Sequence, residues 1–294
     1  MTDSSPARQA EAERPKHIAP GLHFIATPIG AARDITLRAL DLLAAADVLA
    51  AEDTRSLRHL MEIHGIALAR RPLLAYHDHN EAEALPRIMA ALEEGKTVVY
   101  ASEAGTPLVS DPGFGLARAV IAAGLPLFAA PGPSAALCAL TLSGLPSDRF
   151  MFAGFAPSTR MARQTFLASL APVEATLILY ESPKRVRETL ADMVQCFGKE
   201  RRMALCRELT KRFEEVRRGT VEEVLSSLGQ TDPKGEIVLV IDRAPPMVHS
   251  EESIQAALDA ALQTLSVKDA ATAVADATGM PRRQIYQLAL TRGR

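Results

Sequence analysis

The sequence predicts an α/β protein of two lobes, a mainly parallel N-terminal sheet and a mixed second sheet, followed by a small helical segment at the C-terminal end. Three observations predict it. Over the first half, short β-type runs alternate with helical periodicity, the pattern that βαβ crossovers impose on a sheet covered on both faces. In the second half the later strand-like runs lie close together with a single short helix between them, which favours antiparallel pairing. After Ala244-Pro245-Pro246 the alternation stops and only helical signals remain.

The elements follow in order. Residues 1–20, rich in Ala, Glu, Arg and Pro and without an apolar stretch, read as a disordered tail rather than a signal peptide. The first lobe, 21–131, holds strands at 22–26, 48–51, 97–101 and 126–129. Ile35, Ala39, Leu42, Leu43 and Ala46 share one helical face, and 114–123 repeats that pattern until Gly124 ends it. The second lobe, 132–244, has strands at 150–153, 176–180, 203–206, 213–218 and 236–241. In the C-terminal segment, 250–294, Ser266-x-x-Asp269 reads as a capping-box-like start, Gly279 as a stop and Pro281 as a first-turn proline, a helix-turn-helix outline.

Composition narrows the class. At 294 residues the chain can bury a sizeable core without disulfides. Its three cysteines, Cys138, Cys196 and Cys206, are too irregularly spaced for a disulfide framework or a zinc knuckle, so a reducing, cytoplasmic setting is expected. No stretch is long and apolar enough for a membrane span. The formal charge of −2 does not advertise a polyanion partner, although basic pairs recur at Arg70-Arg71, Lys211-Arg212, Arg217-Arg218 and Arg282-Arg283. Tryptophan is absent, which argues against an extended base-stacking platform.

Gly/Pro-rich junctions fall where strands meet helices, and in open α/β sheets ligands bind at the carboxyl ends of strands. Thr27-Pro28-Ile29-Gly30, with Asp34 beyond it, lacks both the dinucleotide fingerprint and a P-loop lysine, and alone it is a strand-to-helix turn. Residues 102–113 are more informative. Glu103 and Asp111, with Ser102, Thr106, Ser110, two glycines and two prolines, make a long rigid loop whose backbone can approach a ligand, and whose carboxylates suit a ribose hydroxyl or a cation. Ala130-Pro131-Gly132-Pro133-Ser134-Ala135 opens a helix; Ser134 serves as its cap, or the turn presents amide N–H groups to a ligand carboxylate. Glu181-Ser182-Pro183 repeats the strand-then-proline pattern. His77 and His79 alternate as on one face of a strand, but no third ligand stands at a recognised spacing, so no metal site is expected.

In that order, Thr27-Pro-Ile-Gly30, Asp34-Ile-Thr-Leu-Arg-Ala-Leu40, Ala51-Glu-Asp-Thr-Arg55, Gly105-Thr-Pro-Leu108, Ser110-Asp-Pro-Gly113, Pro131-Gly-Pro-Ser-Ala135, Glu181-Ser-Pro183, Arg207-Glu-Leu-Thr-Lys211 and Gly235-Glu-Ile-Val-Leu-Val240 resemble the ribosomal RNA small subunit methyltransferase I family over about residues 21–290. Two positions depart from it: Ala31 where the family has Asn, and Glu103 where it has Asp. The resemblance implies a tetrapyrrole-methylase-like fold, S-adenosylmethionine (SAM) as methyl donor, and 2′-O-methylation of a cytidine, cytidine 1402, in the decoding region of 16S ribosomal RNA. It implies a homodimer; between naked RNA and the assembled small ribosomal subunit as substrate, the lack of stacking aromatics favours the subunit.

Residue by residue, the resemblance implies a donor pocket from Glu103, Gly105, Thr106, Pro107, Ser110, Asp111, Pro131, Ser134, Ala135 and Glu181, with the loop at Pro28 and Gly30 on the acceptor side. Asp53, His77, Glu208 and Lys211 are candidates for the base that takes the hydroxyl proton. Arg55, Arg282 and Arg283 are expected to meet RNA. The G-x-G-x-G-D loop of enzymes that methylate tetrapyrroles is absent, but methylation of a small tetrapyrrole-like molecule stays as the alternative, and an RNA-binding module that holds SAM without turnover as another.

Overall fold

The computed structural model describes residues 18–229, 233–245 and 251–292. Most of the tail expected over 1–20, and the linker proline Pro246, lie outside the described residues. Two compact units divide between Arg243 and Ala244.

The first unit contains two five-stranded sheets. Strands β1 (Gly21–Ile25), β2 (Val48–Ala51), β3 (Leu73–Ala75), β4 (Thr97–Ala101) and β5 (Leu127–Ala130) form the first, in the order β3-β2-β4-β1-β5 with every pair parallel. Strands β1, β2 and β4 are buried along their whole length, which is why they read as continuous apolar runs. Their side chains alternate between two cores. Leu22, Phe24, Val98 and Tyr100 face helices α3 (Glu81–Glu93) and α4 (Phe114–Ala122), while Ile25, Leu49 and Val99 face α1 (Leu37–Ala45) and α2 (Thr54–Ile63).

Strands β6 (Phe150–Phe155), β7 (Thr176–Glu181), β8 (Arg202–Arg207), β9 (Glu215–Thr220) and β10 (Ile237–Ile241) build the second sheet in the order β6-β7-β10-β8-β9. Only β6 and β7 run parallel; β10 is antiparallel to both β7 and β8, and β8 to β9, so the sheet is mixed as expected. One face packs on α6 (Arg160–Leu170), α7 (Val186–Phe197) and α8 (Val221–Ser227). Against the other face lies α5 (Ala135–Ser143), and Ile29, from the loop after β1, is buried in that same core. The turn after the first strand is therefore anchored in the second sheet.

Some elements differ from the sequence expectation. Strand β3 was not anticipated, because three residues at a sheet edge carry too little pattern. Helix α3 was hidden by Pro86, an interior position where proline removes a hydrogen-bond donor. His77 and His79 do not alternate on a strand. They sit in a turn closed by Asn80, whose Oδ1 accepts from His77 N at 2.9 Å and whose Nδ2 donates to Ala75 O at 2.9 Å.

The second unit is helical: α9 (Glu251–Leu262), α10 (Val267–Thr278) and α11 (Arg282–Arg292) bury Ile254, Leu258, Val274 and Ile285 among them. Ser266 Oγ accepts from Asp269 N at 3.2 Å and Gly279 ends α10 at φ 66°, as expected, while α11 begins at Arg282, so Pro281 stands just ahead of its first turn rather than in it. Among the described residues no helix is long and apolar enough to cross a membrane.

Candidate active site

In the first unit, the carboxyl ends of the first-sheet strands meet the end of β7 and the start of β10, which lie side by side because those two strands are antiparallel (Ile237 opposite Glu181). A cavity of about 400 Å³ opens there, a size suited to a small-molecule site. Glu52 follows β2 and Glu103 follows its neighbour β4; the paired strand ends Ala51 and Ala101 put both carboxylates on one wall. The loop 102–113 is pinned to the chain after β1 by paired bonds between Thr27 and Gly105 at 2.9 and 3.0 Å, by Ser102 Oγ donating to Gly105 O at 2.7 Å, and by Thr106 Oγ1 donating to Pro133 O at 2.9 Å. Leu108 (φ 70°) and Ser110 (φ 63°) hold left-handed backbone in that loop, the kind of strain that persists where surrounding structure over-determines it.

Of the residues expected in the donor pocket, Glu103, Gly105, Thr106, Ser110, Asp111, Ser134, Ala135 and Glu181 line this cavity. Pro107 and Pro131 do not. Pro107 is buried and Pro131 exposed, each shaping its turn rather than facing the space. Ile29, Glu52, Phe155, Tyr180 and the stretch from Gly235 to Val238 complete the lining. In the sequence Glu52 reads as part of a polar run ahead of α2 and carries no signal of its own; only the pairing of β2 with β4 brings it to Glu103.

The electrostatics of the lining are uneven. Burial, and then the charges of Glu52 and Glu103, push the Asp111 carboxyl up to about 7. Burial raises Glu52 as well. Glu52 Oε2 and Asp111 Oδ2 are buried without a hydrogen-bond partner. Across the cavity, Glu181 is satisfied by Arg185 at 2.8 Å, by the Thr189 hydroxyl at 2.6 Å and by Ser182 N at 2.6 Å.

The candidate bases scatter. Asp53 caps α2 and is held by the Arg55 side chain at 2.9 Å and Arg55 N at 2.7 Å, which pull its pKa down to about 2; it does not line the cavity. His77 lies outside the lining, with Nδ1 buried and unpartnered. Glu208 and Lys211 stand beside the cavity through Glu236. Lys211 Nζ donates to Glu236 Oε2 at 2.6 Å and to Glu208 Oε1 at 3.1 Å; burial works against its charge, but the two carboxylates hold its pKa above the usual lysine value. The bond from Glu236 N, with the help of Lys211, keeps Glu208 below the usual carboxylate range.

Most of the basic runs in the first unit are spent on structure. Arg71 donates to the carbonyls of Leu43 and Ala67, Arg201 to Asp242 and Ala171, and Arg218 to Leu142. Arg55 keeps an exposed guanidinium despite its pairing with Asp53. In the second unit Arg282 and Arg283 are exposed in the first turn of α11.

The model of the Tetrapyrrole (Corrin/Porphyrin) Methylases matches residues 21–225, and the chain is 47% identical over 269 residues to the Ribosomal RNA small subunit methyltransferase I of Mesorhizobium japonicum, covering 91% of this chain and 90% of that one. The chain belongs to the tetrapyrrole methylase family, in its ribosomal RNA small subunit methyltransferase I branch. The relative of the same name from Haemophilus influenzae is 42% identical over 275 residues, 92% of this chain and 96% of the other. Residues 248–293 match the RsmI C-terminal HTH domain. Among solved structures, the uroporphyrin-III-C-methyltransferase of Thermus thermophilus aligns with a TM-score of 0.53 at 26% identity, over 76% of this chain and 94% of that one. Diphthine synthase, at 16% identity and TM-score 0.55 over 75% of this chain and 89% of that one, shares the fold. As a tetrapyrrole methylase of this branch, the chain is a SAM-dependent methyltransferase.

Proposed function

We propose that this chain transfers the methyl group of SAM to the ribose 2′-hydroxyl of a cytidine in the decoding region of 16S ribosomal RNA, cytidine 1402, working on the small ribosomal subunit as a cytoplasmic homodimer. The observation that carries the donor half is the cavity itself. Its lining offers the N-terminal turn of α5 at Ser134 and Ala135 for a carboxylate, and the unpartnered oxygens of Glu52 and Asp111 for positive charge. SAM presents both kinds of group, so the residues present fit it. The acceptor half rests on the named relatives and on the absence of a tetrapyrrole-type first loop.

Bound SAM supplies an electrophilic methyl group on a sulfonium. The chain's own part is to hold the acceptor oxygen in line with that methyl, and alignment of this kind is worth roughly 7–11 kcal/mol. A base would add about 10²–10⁴-fold. Asp53, at about 2, is too weak a base, and Lys211 stays charged. Positioning therefore dominates this reading, with Lys211 as a cation beside the wall at Glu236 and Arg55, Arg282 and Arg283 as phosphate contacts. The dimer is supported by apolar side chains exposed on two of the edge strands, Phe128 on β5 and Phe150 and Met151 on β6.

The test incubates the purified protein with methyl-labelled SAM and small ribosomal subunits lacking the modification, followed by nuclease digestion and mass mapping. Label in a 2′-O-methylcytidine of the decoding region is the expected result. SAM binding without label in RNA would favour the small tetrapyrrole-like acceptor, and binding without any S-adenosylhomocysteine release would favour a non-catalytic SAM-holding module.

A further inference from the structure

Among the described residues five carboxylates line the cavity, those of Glu52, Glu103, Asp111, Glu181 and Glu236, and no lysine, arginine or histidine does. Two are neutralised from outside the lining, Glu181 by Arg185 at 2.8 Å and Glu236 by Lys211 at 2.6 Å. Glu52, Glu103 and Asp111, which share the first-sheet wall, have no such partner among the described residues. Arg55, the cation that feels Glu103, is engaged by Asp53 at 2.9 Å.

Beside the Ser102 hydroxyl, which hydrogen-bonds to it, the titratable groups that face Asp111 are acids or neutral phenols: Glu52 after β2, Glu103 from its own loop, Tyr100 from β4 and Tyr180 from β7. Glu52 additionally faces Asp78 and His77. Among the described residues no three of these side chains are disposed to hold a metal ion. What the wall lacks is a diffuse positive charge brought by the ligand.

Resting on the reading that SAM is the donor, we infer that the wall of Glu52, Glu103 and Asp111 selects its ligand by charge, holding the sulfonium donor and releasing the neutral thioether product. In the transfer, the methyl carbon bonds to the acceptor oxygen, the C–S bonding pair stays on sulfur, and the hydroxyl proton passes to solvent water. Sulfur becomes neutral, so the charge that stabilised the wall disappears when the product forms. Repulsion among the three carboxylates then returns, and Asp111 takes up a proton from solvent.

The sign of the pH dependence follows. With its carboxyl at about 7 when no cation is present, Asp111 is mostly protonated near pH 6 and must lose that proton to hold the donor. Donor affinity therefore tightens as pH rises through neutrality, while product affinity does not.

The experiment is titration calorimetry of the full chain with SAM and with S-adenosylhomocysteine near pH 6 and near pH 7.5, each in two buffers of different ionisation enthalpy. The preference for SAM over product is expected to grow about eightfold across that interval, with proton release on binding SAM only. In Asp111→Asn the growth disappears, which also subtracts titration of the ligand's own amine. Should that variant fail to fold, Glu52→Gln carries the test, because removing one neighbouring charge moves the rise to lower pH. A preference that is flat with pH in the unmutated protein, or unaltered by these substitutions, overturns the inference even if RNA methylation proceeds. Failure to bind either ligand overturns the SAM reading itself, and the inference with it.

Discussion

Gly30 and Lys211 compete for the same space: a Cβ on Gly30 would lie 2.5 Å from Lys211 Cγ, with Thr210 Oγ1 at 2.7 Å and Leu209 O at 3.1 Å. The missing side chain lets the loop after β1 close onto the loop after β8, where Ala31 N donates to Thr210 Oγ1 at 3.1 Å. Gly30→Ala is expected to cost about 1–3 kcal/mol, as other overpacking does, and to displace Lys211 from Glu236. Denaturant midpoints and kcat/KM would both fall. Adding Lys211→Ala should recover part of the stability but not the activity, and full additivity of the two changes would refute the shared-space explanation.

Arg163 and Asp192 form an ion pair at 2.8 Å between α6 and α7, with side chains only 2% and 3% exposed. Burial opposes the charge on Asp192, but bonds from Arg163 and Gln164 outweigh it and the pKa ends below the usual value. The pair's stabilisation is thus complete above the ordinary carboxylate range near pH 4 and is lost as pH falls from there through the lowered folded-state value. Arg163→Met should destabilise by about 3–5 kcal/mol at neutral pH, and adding Asp192→Leu should restore much of that. Urea unfolding of both variants checks it; equal losses in the two would contradict it.

Thr220 caps α8 reciprocally, its Oγ1 accepting from Glu223 N at 3.2 Å while Glu223 Oε2 accepts from Thr220 N at 2.8 Å. Thr220→Ala is expected to lower stability by about 1 kcal/mol without altering SAM affinity, since neither residue lines the cavity. Thermal melts and calorimetry read the two effects separately.

Arg282 and Arg283 present two exposed cations in the first turn of a helix. Replacing both by alanine should raise KM for small ribosomal subunits about tenfold at moderate salt and reduce the salt slope by about two, with SAM affinity unchanged. An unaltered KM would remove the second unit from the RNA contact.

Much of this protein was legible in its sequence, because its β-runs are buried and its turns are chemically marked. Parallel strands covered on both faces become uninterrupted apolar stretches, and Ser134, Ser266 and Gly279 carry the capping chemistry that the backbone uses at those positions. The loop 102–113 stood out for the same reason, since Glu103 and Asp111 in a rigid turn have no ordinary structural use. Three residues at an edge, as in β3, or a helix with Pro86 inside it, give no such signal.

What the sequence by itself determined was local: where strands and helices fall, which loops are unusual and, through ordered motifs, the family. Only tertiary structure decided which charges meet. Glu52 and Glu103 are far apart in the chain and become neighbours through parallel pairing of β2 with β4, whereas Asp53, one residue beyond Glu52, turns away to cap α2 and bind Arg55. Lys211 reaches Glu236 because the loop after β8 folds back beside the start of β10, with Glu208 N bonded to Glu236 O at 3.0 Å. Charge interactions act through space and depend on burial, so the same glutamate is an ordinary surface acid or part of a cation-seeking wall according to its neighbours across the sheet.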